Sequence, residues 1–292
     1  MLLLVVSLPV YATEERQKEA VLPGDNTLPS GDISYHTYED SEIMKIAELL
    51  YQSHRHTGAV EACEEALSRN LTSAQLASMQ YLLAKTYEAI PNHGQEAKDT
   101  YSKIIQKYPD YDRLPEVAYR LGELNLCIIP EGTEPDNDKA IECLNLVITR
   151  LPIELNTEKD ITYLSLKAHM MLGNLYLDKR ENLKAESCFK KIYESDVTKS
   201  APVPFRKFDN DNEKQEYVVW LKNRITNMKK RLPVKMVSAC LSDDLAISMQ
   251  KLNELQVRYP QDLEIRNIAV KMFRRLNQIK DLIDQELEDL NK

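Results

Sequence analysis

The chain has 292 residues, of which 43 % are hydrophobic and 29 % are charged, with 7 glycines and a formal net charge of -8. So few glycines suit long helices and argue against a sheet fold rich in tight turns. The negative net charge argues against a general nucleic-acid binder, because phosphate binding needs a broad basic face.

The N-terminal segment begins with an apolar run over residues 1–12 that is too short to cross a membrane. Small residues at positions 10 and 12 suit a signal-peptidase site, but the basic start of a secretory signal is missing. We expect a signal peptide truncated at its N-terminus, and a periplasmic or secreted protein; otherwise the protein is cytoplasmic. Residues 13–40 contain Pro, Gly and Asp with little apolar periodicity, which predicts a flexible tether.

Helical periodicity begins after the tether, at Asp40 or Ser41. One apolar face is formed by Ile43, Ile46, Ala47 and Leu50. We expect Gly58 to break this helix and a partner helix to follow, with Ala59, Cys63 and Ala66 on its apolar side. His54 and His56 stand two apart, a spacing that on a helix turns two rings away from each other.

One pattern of apolar, small and aromatic residues then recurs three times. Its copies are Leu83-Ala84-x-x-Tyr87 with Ala97-x-x-x-Tyr101-x-x-Ile104 and Tyr108-Pro109; Leu121-Gly122 with Ala140-x-x-x-Leu144-x-x-Val147 and Leu151-Pro152; and Leu172-Gly173-x-x-Tyr176 with Ala185-x-x-x-Phe189-x-x-Ile192. Each copy predicts two helices that cross closely at a small residue, and a proline that ends the second helix in two of them. The third copy has no such proline.

This linked order of small, aromatic and proline residues resembles the tetratricopeptide repeat family over residues 41–195, and weakly over 234–260. The resemblance implies an all-α fold, a right-handed superhelical solenoid of helical hairpins, with about four repeats in 41–195. For residues 196–292 we expect an irregular connection followed by a degenerate repeat and capping helices. A basic stretch over 222–235 is expected to be the solvated face of an amphipathic helix.

In this family the first helices of successive hairpins line a concave groove that holds an extended peptide or a partner helix. Transferred position by position, the resemblance gives a set of protein-binding candidates: Lys85, Tyr119, Glu123, Leu126, Met170, Asn174 and Leu177. Glu48, Glu88 and Glu123 place negative charge where relatives that grip a C-terminal carboxylate need positive charge. We therefore disfavour that mode of binding.

The sequence predicts a non-enzymatic scaffold or adaptor that binds a protein or peptide through this groove, in the bacterial cell envelope. The alternative is a structural, self-associating component whose repeat ends make the contacts. No catalytic residue, cofactor, metal or nucleic-acid partner is expected, and the five cysteines are not spaced as a disulfide framework or a zinc site. Peripheral association with the envelope and the oligomeric state stay open.

Overall fold

The computed structural model describes residues 35, 38–127, 134–153, 161–196, 200–201, 210–242 and 244–290. The predicted signal peptide lies outside these residues, as do most of the tether and most of the connection after 196. Residues 128–133 also lie outside them.

The described part of the chain is built from twelve α-helices. They are α1 Asp40–Gln52, α2 His56–Leu67, α3 Ser73–Ala89, α4 Gly94–Lys107, α5 Leu114–Leu126, α6 Asn137–Arg150, α7 Tyr163–Asp178, α8 Asn182–Glu194, α9 Asp211–Lys229, α10 Leu232–Ala239, α11 Leu245–Arg258 and α12 Leu263–Leu290. Two short strands, β1 Ile161–Thr162 and β2 Ser200–Ala201, pair in parallel. The prediction of an all-α chain is confirmed.

The helices pack in series along the chain. From α1 to α8, each helix packs on the next one in the chain. The pairs α1–α2, α3–α4, α5–α6 and α7–α8 therefore form four successive hairpins. After α8 the order changes, because α10 packs on both α8 and α12, and α11 packs on α12. One continuous apolar core extends from Ala118 in α5 to Ala269 in α12, and smaller clusters fill the earlier hairpins.

Small residues allow the two helices of a hairpin to approach, as the sequence predicts. Ala97, Ala140 and Ala185 on the second helices are fully buried. A Cβ atom placed on Gly173 would lie 2.4 Å from the Phe189 ring, a distance that real contacts do not reach. The ring of Phe189 therefore packs on the backbone of its own hairpin, whereas its sequence position suggests a space between hairpins.

Proline follows the ends of three helices, α4, α6 and α11. Tyr108, Leu151 and Tyr259 each follow a helix and precede a proline, and their φ/ψ angles are -129/64, -127/68 and -123/61. A residue before proline is disfavoured in the helical region, so each of the three leaves that region directly after the last helical residue. The recurrence places the end of α11 in the same structural class as the ends of α4 and α6.

Three hairpin turns each contain a residue other than glycine with positive φ: His54 (59°), Asn92 (66°) and Arg180 (58°). Helix α1 ends at Gln52, before His54, and Gly58 is inside α2, which corrects the prediction that Gly58 breaks the helix. The turn also brings the His54 and His56 rings edge to face, 5.7 Å apart between their centres. The expectation that these rings point apart is wrong, because His54 is not helical.

The folded part begins before residue 40, earlier than the predicted end of the tether. Tyr35 donates a hydrogen bond to the Gly58 carbonyl oxygen over 3.3 Å, and both Tyr35 and Tyr38 pack against the first apolar clusters. The Arg69 guanidinium donates to the carbonyl oxygens of Tyr35 and Tyr38, each over 2.8 Å. These contacts hold the start of the described chain onto α1 and α2.

Candidate interaction surface on the first helices

The first helices of successive hairpins share a face on which aromatic rings alternate with positive charges. We call this the first-helix face and define it by Tyr51 (α1), Tyr81 and Lys85 (α3), Arg113 (directly before α5), Tyr119, Arg120 and Glu123 (α5), Tyr163 and Lys167 (α7), and Trp220 and Arg224 (α9). Among these helices, α1 contacts α3, α5 contacts α7, and α7 contacts α9.

In three places a cation on a first helix, or directly before it, covers an aromatic ring of the preceding first helix. The pairs are Lys85 over Tyr51 at 4.7 Å, Arg113 over Tyr81 at 4.4 Å and Lys167 over Tyr119 at 4.5 Å, measured from Nζ or Cζ to the ring centre. Cations at such distances are attracted to the negative face of the ring. The bridges therefore link α1 to α3, α3 to α5 and α5 to α7 on the same side.

An aromatic contact continues the series at its C-terminal end. The Tyr163 ring of α7 meets the Trp220 ring of α9 edge to face, with 6.0 Å between centres. Trp220 also stacks on Tyr217, and the guanidinium of Arg224 lies 5.3 Å from the Trp220 ring. The first-helix face thus extends onto α9, beyond the residues for which the sequence shows repeats.

At the middle of the face, Arg120 lies between two carboxylates. Its Nη1 atom is 3.7 Å from Oε2 of Glu123. Burial raises the pKa of the Glu88 carboxyl, and the positive charge of Arg120 offsets only part of that rise. Tyr101 donates a hydrogen bond to Oε2 of Glu88 over 2.8 Å. Burial alone would lower the pKa of Arg120, but the two carboxylates raise it above its usual value, so Arg120 stays charged.

The seven candidates from the sequence fall into three groups. Lys85 and Glu123 are half-buried, so part of each charged side chain reaches solvent. Leu126, Met170 and Leu177 are half-buried and pack against the main core. Tyr119 is 3 % exposed, and Oδ1 of Asn174 makes no hydrogen bond and has no solvent contact.

These placements decide which candidates can meet a partner directly. Lys85 and Glu123 can, whereas Tyr119 is covered by Lys167, and Asn174 presents no accessible oxygen in this conformation. Burial raises the pKa of the Tyr119 hydroxyl, and the negative charge of the neighbouring Glu123 raises it further. The binding role of the seven residues remains a prediction.

Sequence reasoning missed Tyr81, Arg113 and Lys167. Tyr81 stands two residues before Leu83-Ala84, as Tyr119 stands two before Leu121-Gly122, so the repeat register contains the signal for it. Arg113 and Lys167 lie outside the repeated pattern, and each meets a ring on another helix. Their roles depend on how neighbouring helices are rotated, which the pattern does not specify.

The basic stretch after the fourth hairpin is divided between structural contacts and solvent. Lys229 donates hydrogen bonds to the carbonyl oxygens of Tyr193 and Ser195, at the end of α8. Burial lowers the pKa of Lys229 and also that of Lys235. A positive charge at a helix C-terminus complements the helix dipole, so Lys229 joins α9 to α8.

The buried His169 packs in the interior of the fourth hairpin. Its Nδ1 lies 2.9 Å from the Ser165 carbonyl oxygen, while Nε2 makes no hydrogen bond. Burial lowers the pKa of His169 to about 4, so the ring is neutral at pH 7. Each of the five cysteines is a free thiol, and only Cys127 is exposed.

Within the described ranges, no group of three His, Cys, Asp or Glu side chains is placed to hold a metal ion. None of the helices described here is long and apolar enough to cross a membrane. A comparison with models of known protein families gives no match, and a comparison with curated proteins gives none. The function therefore has to be argued from the arrangement of this chain alone.

Proposed function

We propose that the protein is a non-enzymatic scaffold or adaptor of the tetratricopeptide type that binds another protein through its first-helix face. In this proposal the four hairpins and the helices after them form a right-handed superhelical solenoid, and the first-helix face lines its concave groove. The partner is an extended peptide segment or a helix. The apolar N-terminal run supports a cell-envelope location, periplasmic or secreted.

The observation that carries the proposal is the series of cation and ring contacts between adjacent first helices. Each contact fixes a long side chain before any partner arrives, and such side chains otherwise lose conformational freedom on binding. A surface fixed in this way offers charges and half-buried apolar groups in a constant arrangement. That is the property expected of a binding groove, and the second helices show no equivalent series among the described residues.

The charges of the face favour a protein partner over a nucleic acid. Arg120 is shared by Glu88 and Glu123, and Arg113 forms an ion pair with Glu116 over 2.7 Å. Cations held by carboxylates are less available to phosphate groups, and mixed charges next to apolar side chains suit a peptide. The partner is therefore expected to present both apolar and charged side chains.

The proposal is tested by affinity capture from native envelope extracts with three forms of the full chain. The first-helix variant carries Lys85→Glu and Lys167→Glu. The matched control carries Lys103→Glu and Lys139→Glu, the same charge changes at exposed positions on second helices. Tyr119 is left intact because replacing a buried tyrosine would destabilise the fold.

We expect a protein that is retained by the wild type and the control but lost with the first-helix variant. Titration of that protein against the purified chains should then show binding at least about tenfold weaker for the variant, which corresponds to about 1.4 kcal/mol. Circular dichroism checks that all three forms are equally helical. Equal retention by all three would refute binding at this face.

A further inference from the structure

The last helix carries an apolar stripe that nothing in the described structure covers. The N-terminal half of α12 packs against the core through residues such as Ile265 and Ala269, which are fully buried. Its C-terminal half exposes four large apolar side chains: Ile279 (48 %), Leu282 (61 %), Ile283 (49 %) and Leu287 (52 %). Monomeric proteins rarely expose contiguous apolar side chains of this size, and such stripes mark interfaces.

The spacing of the stripe is that of a helix that packs along another helix. From the half-buried Leu276, the apolar residues follow at 279, 283 and 287, so they stay on one side over about three turns. At 1.5 Å per residue the stripe is about 16 Å long. One other helix packed along the stripe is long enough to cover it.

The charges of α12 are separated along its length. Before the middle of the stripe they are basic, at Arg274, Arg275 and Lys280, and after it they are acidic, at Asp281, Asp284 and Glu286. All six side chains are exposed. A second copy of the same helix, lying antiparallel, would place its acidic part beside the basic part of the first copy. A parallel copy would place like charges together, which is unfavourable.

We propose that the chain pairs with a second copy of itself through an antiparallel contact between the C-terminal halves of α12. The two-fold axis passes near Asp281, so Ile279 of one copy packs beside Ile283 of the other. Arg275 then lies opposite Leu287 of the second copy, one position from Glu286, and Lys280 lies opposite Leu282, two positions from Asp284. Charge complementarity favours a second copy of the chain as the partner of the stripe, because one helix carries both the basic part and the acidic part that the contact needs.

The contact is tested on the full chain by sedimentation velocity and light scattering. The wild type should have twice the mass of one chain at concentrations on the order of 100 µM or below. The variant Ile279→Asp/Ile283→Asp should have the mass of one chain. The control Leu263→Asp changes a 68 % exposed leucine of the same helix outside the stripe, and should still pair. All three positions are exposed, so thermal melting of the monomer fold should be unchanged.

Charge exchange tests the antiparallel direction. Replacing Arg274, Arg275 and Lys280 by Glu, or Asp281, Asp284 and Glu286 by Lys, should give a monomer in each case. Making all six changes in one chain restores the complementary pattern and should restore the dimer. A monomeric wild type would overturn the proposal and assign the stripe to a different partner. A dimer that survives Ile279→Asp/Ile283→Asp, or six changes that fail to restore pairing, would also overturn it.

Discussion

His169 shows how a single buried side chain couples this fold to pH. Burial lowers its pKa from 6.5 to about 4, so the folded state favours the neutral ring while the unfolded chain takes up a proton more readily. A depressed histidine pKa contributes stability that is complete above 6.5 and is lost as pH falls toward 4. His169 lies within α7, the first helix of the fourth hairpin.

We predict that His169→Gln removes part of the acid sensitivity of the protein. Between pH 7.5 and 4.5 the wild type should lose about 2.5 kcal/mol more unfolding free energy than the variant, at about 1.4 kcal/mol for each pKa unit. Urea unfolding at several pH values measures the difference. Parallel pH profiles for the two proteins would show that His169 is protonated equally in the folded and unfolded states.

The single residues that the sequence predicts best are those whose role is local to one hairpin. Ala97, Ala140 and Ala185 are buried, as their positions in the repeat suggest. Asn174 and Tyr119 were assigned to the groove from register alone, and the structure covers Tyr119 and the Oδ1 atom of Asn174. Register gives the side of a helix, but exposure also depends on neighbouring side chains such as Lys167, which comes from another hairpin.

At the scale of the helices, the closeness of α7 and α8 rests on Gly173. A Cβ atom there would meet the Phe189 ring at 2.4 Å, whereas one on Gly58 would lie 3.5 Å from the nearest atom, on Leu50. Both glycines are inside helices and neither has positive φ. At Gly173 a larger residue would clash with a neighbouring ring, whereas at Gly58 only the helix propensity of the residue matters.

We predict opposite effects for Gly173→Ala and Gly58→Ala. The first should destabilise the protein by about 1–3 kcal/mol, because the aromatic ring has to move or the helices have to separate. The second should stabilise it by up to about 1 kcal/mol, since alanine is the better helix former and has room. Urea unfolding measures both, and a stable Gly173→Ala protein would contradict the packing described for α7 and α8.

The helix ends were predictable where a backbone rule applies. Proline fixes the ends of α4, α6 and α11, and the last of these lies in a region of weak repeat signal. The bounds of α10 were not predictable, because its partners are α8 and α12 and its own apolar pattern is only eight residues long. The bounds of such a short helix depend on its contacts with helices distant in the sequence, and local periodicity carries no information about those contacts.

For the whole molecule, serial packing explains why function is proposed at a face and not in a pocket. Each hairpin contacts its neighbours, so side chains of successive first helices meet each other. The sequence predicted this arrangement in outline because its repeats are copies of one unit. The link from α7 to α9 through Tyr163 and Trp220 was not predictable, since no repeat register covers it.

The proposed self-pairing of α12 and the proposed binding of a partner by the first-helix face use separate parts of the chain. The stripe at 279–287 lies on the last helix, whereas the cation and ring contacts end at α9. A dimer would carry two copies of the face, and two sites on one assembly raise the overall affinity for a repeated partner. Loss of either property by its own variants should leave the other intact.

The most direct test of the account is hydrogen exchange measured by mass spectrometry on the full chain, alone and with the protein identified by capture. Binding at the first-helix face predicts slower exchange in peptides from α3, α5 and α7, with α4, α6 and α8 changed less. Slower exchange confined to α1–α2 or to residues 261–292 would contradict it, and would assign binding to the ends of the helical series.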